Sequence, residues 1–285
     1  MTSVIQLTDA SRELATLGQL IRQSEHHRGQ NVLFGFSKFL DVDPTRAIYF
    51  ELLSVVRNRI HNLELFATRV VDPELDDGLR QEVINATGMF GALFSLSNLV
   101  SPWENARTSS LPDANLKTLM WFGQTARRHR PLRVVNEEDR QALLGQIDEA
   151  IADLTKDEAP DWTKPPLLDG LRRMRIVLQY LRFFGHDVAI EELILFNRKV
   201  VSVQEVHKSR QRVSDDAASL SFMRILNVIA LLGAVFILPD EMKTAWDRYD
   251  GWQQQLLMVI SKQPSEQKLL SPPSVVLPKL PKLPE

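Results

Sequence analysis

From Ile48 to Val70 the apolar residues return at steps of three and four: Ile48, Leu52, Val56, Ile60, Leu63, Phe66 and Val70. An α-helix gathers such a series on one face, because its period is about 3.6 residues while a strand repeats every two or so. Asp43 reads as the N-cap of this helix and Pro44 as its first residue, where a missing N–H costs nothing. The run closes near Asp72-Pro73, which predicts a rod about 40 Å long at about 1.5 Å per residue.

The same rhythm runs through most of the chain. A first helix is predicted from about Asp9 to His27, on the stripe Leu14, Leu17, Leu20 and Ile21, with Gly29 as its stop. A third spans about Asp76 to Val100. Its Gly88, Gly91, Ala92, Ser95 and Ser97 among larger residues predict close packing on more than one side. Thr108 to Pro112 reads as a loop, and Asp113 to Arg128 as a fourth helix. Asn136 and Asp139 resemble a capping pair for a fifth, which uses Leu143, Leu144, Ile147, Ile151 and Leu154. Further helices are predicted over Leu167 to Phe184, stopping at Gly185, and over Asp187 to Gln211. Another is capped by Ser214 to Asp216 and ends at Leu238-Pro239, and the last runs from Asp240 to Lys262. Glycine is scarce at 12 residues, and six of the 15 prolines lie in the last 22 positions, so breakers inside these runs are few. No segment reads as a strand. The expectation is an all-α multi-helix bundle of about nine helices with a Pro-rich disordered C-terminal tail.

Lys156 to Pro166 is polar and carries three prolines. It reads as a boundary between an N-terminal helical lobe, 1–155, and a C-terminal one, 167–262, followed by the tail, 263–285.

Composition excludes several chemistries. The absence of cysteine removes disulfides, thiolate metal sites and cysteine nucleophiles, and suits a reducing, cytoplasmic compartment. A net charge of -2 gives no global field for nucleic acid. The six histidines form no His-Glu-x-x-His set, and neither a Gly-rich phosphate loop nor a Gly-x-Ser-x-Gly elbow occurs. The expectation is therefore no metal and no cofactor, and nothing specifies a small molecule. Residues 1–30 lack the basic-then-apolar pattern of a signal peptide.

Residues 217–238 admit two readings. The segment is 22 residues long, about enough to cross a bilayer. Lys208, Arg210 and Arg212 before it would keep residues 1–212 in the cytoplasm, at an inner or cytoplasmic membrane. Arg224 within it would cost about 2.5–3.5 kcal/mol. The other reading is a helix buried at the centre of a bundle, with Ile225, Val228, Leu231, Leu232, Val235 and Phe236 as core.

Trp246, Tyr249 and Trp252 share one stripe of the final helix and are candidates for a partner interface. In the tail, Pro278, Pro281 and Pro284 recur every third residue around Leu280 and Leu283, the period of a polyproline II docking peptide. Two basic groups, Arg127 to Arg133 and Arg198 to Arg212, with Arg172, Arg173 and Arg175, read as solvated faces and helix C-terminal charges rather than phosphate sites.

Arg57-Asn58 and His61 resemble the catalytic Arg-Asn-x-x-x-His motif of HEPN-type helical ribonucleases, one residue shorter here. The resemblance implies metal-independent RNA cleavage, with the Arg and His acting on the 2′-hydroxyl and phosphate. The helical wheel instead places Arg57, His61 and Glu64 on a polar face where they form surface pairs. The leading expectation is a non-enzymatic helical adaptor or regulatory subunit bound to another protein. The alternatives are a membrane-associated effector using 217–238 and a HEPN-like ribonuclease.

Overall fold

Asp9 ends an extended stub. Its carboxylate accepts the Arg12 amide at 2.8 Å, and the chain turns into α1 (Ala10–Gln23). The computed structural model describes residues 6–24, 30–156, 163–210 and 220–236. Ten further helices follow in these residues: α2 (Val32–Leu40), α3 (Ala47–Arg69), α4 (Asp77–Ala92), α5 (Leu96–Leu99), α6 (Trp103–Ser110), α7 (Asp113–His129), α8 (Glu137–Lys156), α9 (Lys164–Gln179), α10 (Leu181–Arg210) and α11 (Leu220–Phe236). The fold is an all-α bundle, with eleven helices where the sequence predicts about nine.

The differences have local causes. Asp43 does not cap α3. Its Oδ1 accepts the Thr45 amide at 2.8 Å and the Thr45 hydroxyl at 2.7 Å, which closes a turn and delays the helix to Ala47. The predicted helix from Asp76 to Val100 breaks after Ala92, leaving the short α5. α4 packs on α3, α6 and α7, as its small residues suggest, although Gly88 has no heavy atom near a Cβ position and Gly91 meets Ile60 only at 3.8 Å. Helices α2 and α6 were not anticipated, and α6 includes part of the predicted 108–112 loop. They specify each other: a Cβ on Gly35 would overlap the buried Trp103 ring, and Phe36 packs on Trp103 at 5.9 Å between centroids. One small ladder also forms, with β1 (Leu7–Thr8) antiparallel to β2 (Leu132–Arg133).

α1 lies in the middle, touching α3, α6, α7 and α10. α3 packs on α4, α8 on α9, and α9 on α10. Leu14, Val56, Phe90, Phe122 and Val177 are among the core side chains. The chain divides into one unit of Met1–Met242 and a second of Lys243–Glu285; the second lies outside the described residues.

The helix covering part of 217–238 is α11. Ile225, Val228, Leu232 and Phe236 are buried, Val235 is half-buried, and Leu231 is exposed. The buried face meets α8 and α10. Among the described residues no helix is long and apolar enough to cross a membrane, so the membrane-span reading finds no transmembrane helix there.

Arginines from neighbouring elements close several helix C-termini. Arg107 donates to Ser24 O at the end of α1 (2.5 Å) and Arg80 to Val70 O at the end of α3 (3.1 Å). Arg140 donates to Leu178 O near the end of α9 (3.0 Å), and Arg133 to Ala234 O near the end of α11 (2.5 Å). Each meets a carbonyl in the last turn or at the cap, at the negative end of the helix dipole.

Candidate functional site

The chain breaks inside α10. Gly185 has φ 76 and ψ 165, a conformation essentially reserved for glycine, and the helix restarts after it. Three elements converge on this break. α1 brings Glu13, α3 brings Arg59, and α10 supplies His186 and Asp187.

Arg59 is 1% exposed. It donates from Nη1 to Phe183 O at 3.1 Å and from Nη2 to Glu13 Oε2 at 2.7 Å. Its Nε lies 3.3 Å from Asp187 Oδ1, but out of line, so neither atom completes a hydrogen bond with the other. Glu13 Oε2 also accepts the His186 backbone N–H at 3.2 Å, capping the restarted helix from another element. Glu13 Oε1 meets His186 Nδ1 at 2.7 Å. Burial pushes the Glu13 carboxyl up, yet the His186 hydrogen bond and the Arg59 charge outweigh it and hold it below the ordinary carboxylate range.

The histidine tautomer follows from donor counting. The Val135 backbone N–H can only donate, and it lies 3.0 Å from His186 Nε2, so that nitrogen accepts. The proton of the neutral ring then sits on Nδ1 and is donated to Glu13. A carboxylate–histidine pair invites a general-base reading. Such a base needs an open lone pair within reach of substrate. Here the lone pair is filled by main chain, and the pair works as a clamp joining α1, α10 and the segment between β2 and α8.

Beside the clamp opens a cavity of 370 Å3, lined by Arg59, Asn62, Phe66, Arg69, Arg130, Asp187, Glu191 and apolar neighbours. Asn62, Leu63, Phe66 and Arg69 continue the Arg59 face of α3 toward its C-terminus. Arg130 stacks over Phe66, 5.4 Å from the ring centroid. Glu191 is pushed up by burial, by the neighbouring Asp187 and Glu192 charges, and only partly relieved by Arg130. A second opening of 570 Å3 lies between α9 and α10, lined by Pro166, Gly170, Leu195, Phe196 and Val203. Arg173 and Lys199 stand at its edge, Arg173 paired with Glu51 and with Glu192 (2.7 Å) and Lys199 with Asp169 (2.5 Å).

No family model, curated protein or solved structure matches this chain. The site must therefore be read from its own chemistry.

The residues singled out from the sequence fall elsewhere. Arg57 and Asn58 are exposed on α3, and His61, 62% exposed, faces Glu64 at 3.6 Å as a surface pair. None of the three touches the clamp. Arg127, Arg128 and His129 face carboxylates: Arg127 meets Asp9 at 3.6 Å, Arg128 meets Asp72 and Glu74, and His129 meets Asp72 at 3.0 Å. Trp246, Tyr249, Trp252, Pro278, Leu280, Pro281, Leu283 and Pro284 lie outside the described residues. Among the described residues no group of three or more His, Asp or Glu could hold a metal ion.

Sequence reasoning missed Glu13, Arg59 and Asp187, and set His186 aside as one scattered histidine. A signal was present for Arg59. It stands three residues after Val56 and four before Leu63, inside the apolar stripe of α3, where a charge is tolerated only if it is partnered.

Proposed function

We propose that this chain is a non-catalytic helical interaction module, an adaptor or regulatory subunit that docks another protein. The observation that carries the reading is the trough between α9 and α10. Leu195 stands in it 49% exposed, beside Pro166, Phe196 and Val203. An exposed leucine alone is ordinary; one set in an apolar trough 570 Å3 in size is a place for a partner's apolar side chain. The charges at its edge are already paired, so Arg173 and Lys199 are held in place and leave the apolar floor open. The buried Glu13–His186 pair supports the same reading from the other side, because its polar atoms are committed to holding helices together.

The test is photocrosslinking in the native host, with a benzophenone side chain at position 195 or 202 and a control at 175, on the side of α9 that faces α8. The expected result is one discrete adduct from 195 and 202, absent from 175, and lost from 202 when Leu195→Glu is added. Equal adducts from all three positions, or none, would overturn the reading. The C-terminal helix and tail are part of the same proposal: deleting residues 264–285 is expected to weaken the adduct while leaving the melting temperature unchanged.

No observation in the described residues favours the two other readings. α11 turns its apolar face to α8 and α10, which leaves little of it for lipid. Arg57, Asn58 and His61 line neither of the two cavities described, and among the described residues His61 pairs only with Glu64.

A further inference from the structure

The 370 Å3 cavity beside the clamp is lined by charges of both signs, of which Arg59 and Asp187 stand within ion-pair distance of each other. Among the described residues, Arg69 and Arg130 have no carboxylate within 4.0 Å, and Glu191 has no cation within that distance. At the closed end, the buried Arg59 Nε and Asp187 Oδ1 each lack a hydrogen-bond partner although they face one another at 3.3 Å. Asp187 and Glu191 are one helical turn apart on α10, so two carboxylates look into the same space from one wall. The guanidinium groups of Arg69 and Arg130 come from α3 and from the end of α7. Leu63, Phe66 and Leu132 supply apolar surface between them.

A simple anion would sit against Glu191 and Asp187, and a simple cation against three arginines. A molecule carrying both charges meets both walls at once. Like charges held close on one wall cost the empty site free energy, which a bound ammonium would relieve. The size lies near the lower end of the range for small-molecule pockets, which limits the ligand to a few rigid atoms beyond its charged groups.

We propose that this cavity binds a small zwitterion, an apolar α-amino acid or a dipeptide of such residues, with its ammonium on Asp187 and Glu191 and its carboxylate on Arg130 and Arg69. The apolar side chain lies against Phe66 and Leu63. The pocket shares Arg59 and Asp187 with the clamp, so an occupied pocket also tightens the junction of α1, α3 and α10. The inference stands independently of the partner-docking reading, since the cavity lies among α3, α10 and the end of α7 and shares no lining residue with the α9–α10 trough.

The test uses the full chain in calorimetric titration and thermal melting. The probes are free leucine, methionine and phenylalanine and their homodipeptides, each beside its amide (ammonium only) and its N-acetyl form (carboxylate only). The expected result is saturable binding of at least one zwitterion with a raised melting temperature, and a loss of about tenfold or more for each blocked form. Glu191→Gln and Arg130→Ala are exposed enough to leave the fold intact and are expected to lose about tenfold each, while Arg175→Ala, on the α8 side of α9, binds as the parent does. No binding of any zwitterion would overturn the proposal. So would equal binding of the N-acetyl forms, which would make the pocket a plain anion site, or binding unchanged in both cavity variants.

Discussion

Gly185→Ala should be among the most damaging single-methyl changes in this protein. Two effects add. At φ 76 and ψ 165 an alanine is forced into a region worth about 1–3 kcal/mol of strain. Its Cβ would also overlap the Arg59 guanidinium and crowd Asp187 Oδ1. Arg59 is fully enclosed and cannot swing to solvent, so it must surrender its bonds to Phe183 O (3.1 Å) and Glu13 Oε2 (2.7 Å). Breaking a buried, paired charge costs about 3–5 kcal/mol. The combined loss is about 4–8 kcal/mol, against a whole-protein stability of about 5–15 kcal/mol. Urea unfolding followed by far-UV circular dichroism measures it. The decisive comparison is Gly185→Ala placed in an Arg59→Ala background. There the collision with Arg59 is gone and the part-exposed Asp187 side chain is free to shift away, so the alanine should cost little beyond the backbone strain of about 1–3 kcal/mol. A loss below about 1 kcal/mol in the parent, or the same loss in both backgrounds, would refute the argument.

Other substitutions separate other parts of the account. Leu232→Lys, at a position with 0% exposure facing α8 and α10, should cost about 3 kcal/mol or more, whereas Leu231→Lys, 41% exposed, should stay within about 0.5 kcal/mol. Thermal melts of the two variants check this, and equal effects would mean that α11 does not pack as described. Glu13 has a folded pKa depressed below its ordinary value of 4.5, so its contribution is complete above that value and is lost as pH falls through the depressed one. Urea midpoints of parent and Glu13→Gln should therefore converge as pH drops below about 4.5, and a constant gap would count against the clamp. Arg107→Met removes the guanidinium that closes α1 on Ser24 O, and should cost about 1.5–3 kcal/mol in the same assay.

Much of the fold was legible because its signals are local. The stripe of α3, the start of α1 near Asp9 and the break at Gly185 each need only a few neighbouring residues to be read, although α9 already ends at Gln179, before the predicted stop at Gly185. The errors arose where two local signals competed. Asp43 and Pro44 together make a good helix start, but Asp43 also has Thr45 two residues on, and the short-range turn wins. Helices α2 and α6 were invisible because each is short and its stripe is completed by the other: Gly35 is a helix breaker in isolation and the seat of Trp103 in the fold. The two readings of residues 217–238 could not be separated by hydropathy, since a central bundle helix and a membrane span have the same average. What separates them is that Leu231 faces out while Leu232 faces in, one residue away.

The clamp resisted sequence reading for a deeper reason. Glu13, Arg59 and His186 come from three separated segments, and none has a motif around it. Basic residues in this chain cannot be assigned from their own surroundings, because several of them act on a helix other than their own. Arg133 sits in a cluster that reads as a solvated face, yet it donates to Ala234 O in the last described turn of α11, 101 positions away. Arg107 closes α1, 83 positions away, and Arg59 binds Phe183 O, 124 positions away, just ahead of the Gly185 break. A carbonyl left open at a helix end is a fixed feature of every helix, while the residue that fills it can come from anywhere. The guanidinium suits this task better than an ammonium. Its planar fork can reach a carbonyl and a carboxylate together, as Arg59 does with Phe183 and Glu13. The useful rule for chains of this kind is to ask of each buried arginine which helix end it meets before asking which anion it could bind. Applied here, the rule assigns Arg59, Arg80, Arg107, Arg133 and Arg140 to structure, whereas Arg69 and Arg130, which have no carboxylate within 4.0 Å among the described residues, line a cavity that also holds Asp187 and Glu191.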